Sequence, residues 1–275
     1  MSSPDDLSSL LRQSQPQEII SFLRTAGEVG KEMGYSLYLV GGDVRDLLLK
    51  RPNQDVDLVV EGDALLLARH LAEKMGGEVI SHPRFGTATF HRQGLRVDLA
   101  TARTETYAKP GALPLVRPGS IQEDLYRRDF TINAMAIYLT PPRFGELLDP
   151  FKGRDDLRLG LIRVLHEGSF IDDATRILRA IRYEQRLGFK LEDKTEELMS
   201  RDLSMLKTIS GDRLRHELEI VLYEERPELA LSRAEGVGIL KTIHPTLRGD
   251  EWIAQKFQEA RKAAGSPTPE LYLCL

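Results

Sequence analysis

Between residues 17 and 33 the apolar side chains Ile19, Ile20, Phe22, Leu23 and Val29 recur at helical spacing, and Gly34 follows as a stop. This pattern predicts a helix that leads into the first strand. Four short apolar runs follow, at 36–40, 55–60, 88–91 and 95–100, with helix-period stretches at 44–50 and 64–75 between the early ones. Strands interleaved with helices, and then strands paired directly, predict an α/β sheet domain ending near Pro150. Past that point helix-period segments take over, at 172–187, 193–206, 212–224 and 227–235, separated by short polar breaks. The second part is therefore expected to be all-helical. The chain shows no repeat at a solenoid period and no low-complexity tract. Its last residues, PELYLCL, are apolar and carry no polar tail, from which a fragment of a longer protein is expected.

At 275 residues the chain can hold a catalytic domain with an attached helical module. Its formal net charge of −4 argues against coating nucleic acid by bulk electrostatics, so any RNA contact needs local clusters of Lys and Arg. One cysteine, Cys274, excludes an internal disulfide, and no Cys/His spacing suggests zinc. The segment MSSPDDLSSLLRQSQPQ is polar and acidic where a signal peptide would be basic and then apolar, and no run of about 18 apolar residues occurs. A soluble, cytoplasmic protein without a membrane partner is expected.

Four features carry candidate chemistry. In LVGGDVRDLLL, residues 39–49, an apolar strand runs into Gly41 and Gly42 and then into a helix. Glycines at such a turn let a ligand approach the backbone, and the N–H groups of a helix start favour phosphate, although a Gly-Gly turn also serves purely structural ends. In DVDLVV, Asp55 and Asp57 lie two apart on a predicted strand and project from one face. Carboxylates placed side by side repel, and a divalent cation relieves that; Mg²⁺ suits hard oxygen ligands. The competing reading is a solvated edge-strand face. Asp98 in LRVDLA is a third carboxylate on an apolar strand, expected to face the pair across the sheet and complete the site.

The third feature, EDLYRRDFTINAMAI at 123–137, brings Arg127, Arg128, Asp129 and Asn133 together. Adjacent arginines can clamp phosphate oxygens, with Asp129 or Asn133 orienting them or meeting a sugar hydroxyl, and surface salt bridging is the alternative. The fourth is the helix FIDDATRILRAIRYEQRLGF, where Arg176, Arg179, Arg182 and Arg186 fall within about 120° of one another on a helical wheel, opposite Ala174, Ile177, Leu178 and Ile181. Asp173 and Arg176 could be an i,i+3 ion pair, which leaves three arginines uncompensated and reads as a surface for triphosphate and base edges. The six histidines show no metal spacing and read as structural or surface residues.

Taken in order, LVGGDVRDLLL, DVDLVV, RRDFTINAMA, DPFKGRDDLRLGLIRVL and IDDATRILRAIRYEQRLGF resemble the class II tRNA nucleotidyltransferases (CCA-adding enzymes) and their bacterial poly(A) polymerase relatives, of the DNA polymerase beta superfamily. The resemblance runs from about residue 36 to about residue 220. It implies an α/β head with a mixed, polymerase-beta-like sheet over residues 1–150, a helical neck with a base-reading helix over 151–225, and the start of a helical body over 226–275. The implied reaction is template-independent addition of C, A or both from CTP or ATP to the 3′ end of tRNA. The RNA 3′-hydroxyl attacks the α-phosphate in line and pyrophosphate leaves.

By the same resemblance Asp55 and Asp57 hold two Mg²⁺ ions, and Gly42, Arg45 and Arg128 lie near the triphosphate. Asp173 and Arg176 read the base edge, and Arg179 and Arg182 continue that surface. The family usually has Glu then Asp in the helix motif, whereas Asp172 precedes Asp173 here. Members normally continue beyond 275 residues into regions that grip tRNA. The segment 101–125, rich in Gly and Pro, retains the loop that CC-adding members tend to lack, and leaves A-, CC-, CCA- and poly(A)-adding activities open. A truncated RNA- or nucleotide-binding module is the alternative outside the enzyme class.

Overall fold

A computed structural model describes residues 5–53, 56–265 and 268–274. The chain divides into two compact units, the first made of Met1–Thr106 and Val116–Leu159, the second of Tyr107–Leu115 and Gly160–Leu275. In the first, helices α1 (Ser8–Ser14) and α2 (Gln17–Glu32) precede strand β1 (Ser36–Val40). Helix α3 (Gly42–Leu48), strand β2 (Asp57–Glu61), helix α4 (Ala64–Met75) and strands β3 (Glu78–His82), β4 (Thr87–Arg92) and β5 (Leu95–Thr101) follow. Strands β6 (Arg103–Thr106) and β7 (Leu115–Pro118) make a separate ribbon. Helix α5 (Ile121–Tyr126), strands β8 (Ala136–Tyr138) and β9 (Leu147–Leu148) and helix α6 (Gly153–Leu159) complete the unit.

The main sheet has the order β3-β4-β5-β2-β1-β8-β9. Strands β2 and β5 run parallel, while β1 pairs antiparallel with β2 and β8, as do β3 with β4, β4 with β5, and β8 with β9. The mixed α/β sheet expected from the sequence is thus present. Alternation decides its faces. Leu58, Val60, Phe90, Val97 and Leu99 are almost fully buried, and Phe90 stacks on Phe22 of α2 with ring centroids 5.2 Å apart. Each such side chain contributes about 1.5–3 kcal/mol by leaving water. The intervening positions Asp57, Thr89 and Asp98 point to the other face, Asp57 exposed and Thr89 and Asp98 half-buried. Helix α4 starts where Asp63 accepts from the N–H groups of Leu65 and Leu66 at 2.9 and 3.0 Å. Helix α5 starts in a capping box of Ser120 and Glu123.

In the second unit, β10 (Leu161–Ile162) pairs parallel with β11 (Lys190–Leu191) around helices α7 (Ser169–Asp172) and α8 (Thr175–Leu187). Helices α9 (Asp193–Asp202), α10 (Gly211–Leu222), α11 (Pro227–Gly236), α12 (Ile239–Ile243), α13 (Glu251–Ala264) and α14 (Pro269–Leu273) follow, so this part is helical as expected. The continuous helix expected over 172–187 is two helices. Asp173 breaks it with extended backbone, φ −142° and ψ 100°. Its carboxylate accepts from the N–H and hydroxyl of Thr175 at 3.0 and 2.7 Å, a local bond that competes with helix continuation.

Candidate active site

The first unit builds its site around the turn after β1. Gly41 has φ +68° and ψ −126°, a conformation that favours glycine. A Cβ there would lie 2.6 Å from Nη1 of Arg128, so the missing side chain is what lets the guanidinium approach the turn. Arg45 sits buried beneath, donating to both Asp46 carboxylate oxygens at 2.9 and 2.8 Å and to Oδ1 of Asn133 at 2.7 Å. Asn133 in turn donates to Asp129 at 2.9 Å. The residues expected to orient a phosphate or meet a sugar thus brace the turn from inside.

Sequence reasoning missed Asp43. It is buried, accepts from the amide of Asn53 at 2.7 Å through Oδ1, and accepts from the backbone N–H of Asp57 at 2.6 Å through Oδ2. One side chain in the first turn of α3 therefore fixes where the aspartate strand begins. Its signal was an acidic residue in a first helical turn, which commonly serves the helix itself.

Asp57 and Asp98 are register partners on the parallel strands β2 and β5. They are neighbours on adjacent strands and project to the same face. Asp57 is exposed. Oδ1 of Asp98 accepts from the hydroxyl of Thr89 at 2.6 Å, and Oδ2 accepts from Nη2 of Arg96 at 3.0 Å. Asp55, expected beside Asp57, lies outside the described residues. A cavity of about 380 Å³ is lined by Asp57, Asp98, Val40, His82, Thr87 and Thr89 together with Arg127 and Arg128.

The two arginines are held by Asp124, which is fully buried: Arg127 donates to Oδ1 at 3.1 and 2.7 Å, and Arg128 to Oδ2 at 3.1 Å. Arg127 also donates to Glu105 at 3.1 Å. Nε of Arg128 is buried with no hydrogen-bond partner, an orphan donor of the kind that oxygen-rich ligands satisfy. As a metal site the donors fit a hard divalent cation, because Asp57 and Asp98 offer only oxygen. Among the described residues no group of three or more His, Cys, Asp or Glu gathers. Mg²⁺ sites commonly use one or two carboxylates and complete their shell with water and phosphate.

The second unit holds the other predicted residues. Asp173 is half-buried at the break between α7 and α8, and its Oδ1 also accepts from Nη2 of Arg213 on α10 at 2.7 Å. Arg176 is buried and donates from Nη1 to the hydroxyl of Ser169 at 2.7 Å. The expectation of three uncompensated arginines on one open face is corrected here. Arg182 is buried and paired with Glu224 at 3.2 Å, and Arg186 lies 3.9 Å from the same carboxylate. Arg179 is half-buried, 5.7 Å from the ring centre of Tyr183. Helix α8 is met on the arginine side as well, by Glu224, 42 positions from Arg182 in the chain. Glu217 on α10 is also buried, and its Oε2 has no hydrogen-bond partner. Burial raises its carboxyl above the usual range; Arg179, Arg182 and His216 oppose the shift, and Asp173 adds to it.

Comparison with known proteins extends this picture. The poly A polymerase head domain matches residues 37–163, and the probable RNA and SrmB-binding site of polymerase A matches residues 188–249. The chain is similar to the A-adding tRNA nucleotidyltransferase of Geobacter sulfurreducens, 46% identical over 86% of this chain and 27% of that protein. It is 42% identical to the A-adding tRNA nucleotidyltransferase of Halalkalibacterium halodurans, over 87% of this chain and 57% of that protein. The solved structure of the Thermotoga maritima CCA-adding enzyme complexed with tRNA matches with a TM-score of 0.81 at 41% identity, over 94% of this chain and 60% of that one. The chain thus spans between 27% and 60% of the length of these three proteins.

Proposed function

The chain belongs to the family of tRNA nucleotidyltransferases (CCA-adding enzymes) and bacterial poly(A) polymerases, and on that premise we propose that it transfers nucleotides from ATP or CTP to the 3′ end of tRNA with release of pyrophosphate. The observation that carries this reading is the in-register pair Asp57 and Asp98 in one cavity with Arg127 and Arg128. Adenosine is the favoured nucleotide, since the two relatives described above, at 46% and 42% identity, bear the name A-adding.

Family membership implies a divalent cation, and the all-oxygen donors favour Mg²⁺. Asp55, Asp57 and Asp98 would hold it. When bound, such an ion supplies Lewis-acid neutralisation of triphosphate charge and makes an RNA 3′-hydroxyl easier to deprotonate. The chain's own groups do the rest. Gly41 lets the Arg128 guanidinium reach the turn, Gly42 follows it at the start of α3, Arg45 holds that turn, and Arg128 brings positive charge and an unmatched N–H. In the helical unit Asp173 and Arg176 would read the base edge, with Arg179 and Arg182 continuing the same role. An acceptor beside a donor suits the pattern of a base, and a mismatch would leave polar groups unpaired at about 1–3 kcal/mol. The division into head (1–150), neck (151–225) and body (226–275) belongs to this proposal, as do tRNA as partner and a cytoplasmic setting. Among the described residues no helix is long and apolar enough to cross a membrane.

The test incubates the chain with Mg²⁺, labelled ATP or CTP, and three primers: tRNA ending in CC, tRNA lacking all of CCA, and oligo(A). Adenosine incorporation into the first primer is expected, and it is lost in Asp57→Ala and Asp55→Ala. Incorporation of CTP would extend the assignment to CCA addition. Long heterogeneous tails on oligo(A) would move it to poly(A) synthesis, and Asp57→Ala activity equal to the parent's would remove the metal-site assignment.

A further inference from the structure

Asp98 is useful to a cation or a reacting hydroxyl only if its carboxylate holds one orientation. A side chain on the open face of a sheet, itself 43% exposed, has rotamer freedom that burial does not remove. Strand β4 supplies what burial does not. Thr89 is the register partner of Asp98 in the antiparallel β4–β5 pair, which places the two side chains opposite each other on one face. Its hydroxyl reaches Oδ1 at 2.6 Å, a short, charge-assisted bond. Threonine is suited to this position in two ways. Branching at Cβ stiffens its χ1, and its neighbours Ala88 and Phe90 are buried on the other face and pin the strand's register.

The second partner of Asp98 is of another kind. Arg96 lies on the same strand, two residues away, and its side chain is 65% exposed. A solvated guanidinium on a long stem exchanges with water easily. Each carboxylate oxygen accepts more than one bond, so Thr89 can hold Oδ1 while the group still offers lone pairs to the cavity shared by Asp57, Thr89 and Asp98.

We propose that Thr89 is the positioning residue of this site: its hydroxyl locks the Asp98 carboxylate so that, with Asp57, it presents a preformed pair of oxygen donors to the divalent cation. Outer partners that orient metal-binding groups typically change affinity or activity 10- to 100-fold when removed. The proposal rests on the nucleotidyltransferase reading of the same site.

The experiment measures binding of Mn²⁺ alone to the parent chain, Thr89→Val and Thr89→Ser by calorimetry, beside kcat and KM for ATP on a tRNA primer. Valine keeps the β-branched shape and removes the hydroxyl; serine keeps the hydroxyl. Expected are a fall of roughly tenfold or more in Mn²⁺ affinity and kcat for Thr89→Val with little change in KM for ATP, and recovery to within about threefold in Thr89→Ser. If Thr89→Val does not give the parent's circular dichroism, Thr89→Ala is measured in its place. A Thr89→Val or Thr89→Ala chain matching the parent in Mn²⁺ affinity and kcat overturns the proposal and leaves the reading of the site standing, as does a Thr89→Ser chain as impaired as Thr89→Val. A parent chain that neither binds Mn²⁺ nor incorporates nucleotide overturns both.

Discussion

Replacing Gly41 by alanine adds a single methyl group where the structure makes two separate demands. The first is conformational. At φ +68° and ψ −126° a side chain is strained whatever surrounds it, at about 1–3 kcal/mol. The second is steric. The new carbon would lie 2.6 Å from Nη1 of Arg128, and because a guanidinium ends a flexible side chain, the arginine moves before the backbone does. Moving it sacrifices the bond to Asp124 at 3.1 Å, and hydrogen bonds to charged groups contribute about 1.5–3 kcal/mol. Asp124 keeps its contacts from Arg127, which places the steric loss at the lower end. The sum is about 2.5–4.5 kcal/mol. The two demands separate in a double-mutant cycle with Arg128→Ala, followed by thermal and urea unfolding. Gly41→Ala should cost 1 kcal/mol or more less in the Arg128→Ala background, because only the strain is left. Incorporation of ATP should fall with Gly41→Ala, since Arg128 is displaced from the turn. A Gly41→Ala chain melting within a degree of the parent would refute the strain argument. An equal cost in both backgrounds would refute the clash.

Two further substitutions probe the supports around the sites. Asp43→Ala should cost about 2–4 kcal/mol, because it removes the buried carboxylate that accepts from the N–H of Asp57 and the amide of Asn53. Asp43→Asn should fall between it and the parent in thermal unfolding, and an Asp43→Ala chain as stable as the parent would show that the contact carries nothing. Glu217→Gln should stabilise the chain at pH 7.5 and much less at pH 4. The folded state raises this carboxyl above its unfolded value, so the native chain binds the proton more tightly and loses stability as pH rises through the raised value. A stability difference between Glu217→Gln and parent that does not change with pH would contradict that sign.

The features legible in the sequence are those fixed by near neighbours in the chain. The strand at 36–40 and the helix at 64–75 follow from apolar period and caps, and alternation on two apolar strands places Asp57 and Asp98. Strand β3 escaped because its apolar Ile80 lies on the exposed face, 52% exposed, so the usual alternation is inverted. Strand β8 is fully or half buried along its length and merged with the apolar run after Asn133. The arginine helix shows the same limit more sharply. A wheel gives angles correctly and says nothing about what covers each side, and Glu224, which pairs with Arg182, lies 42 residues further on.

Asp43 joins these levels. Nothing in its local sequence separates it from any acidic residue in a first helical turn, yet its two oxygens tie the loop at Asn53 and the start of β2 to the helix that follows the glycine turn. The turn and the aspartate strand are 14 residues apart at this contact, and each carries its own motif. If both serve one triphosphate, the side chain that sets the distance between them matters as much as the groups that touch the ligand. A loss at Asp43 should then move the carboxylate pair relative to Gly41 and Arg128 without removing any of them. It should lower the rate of transfer even in a chain whose residual stability keeps it fully folded at the assay temperature.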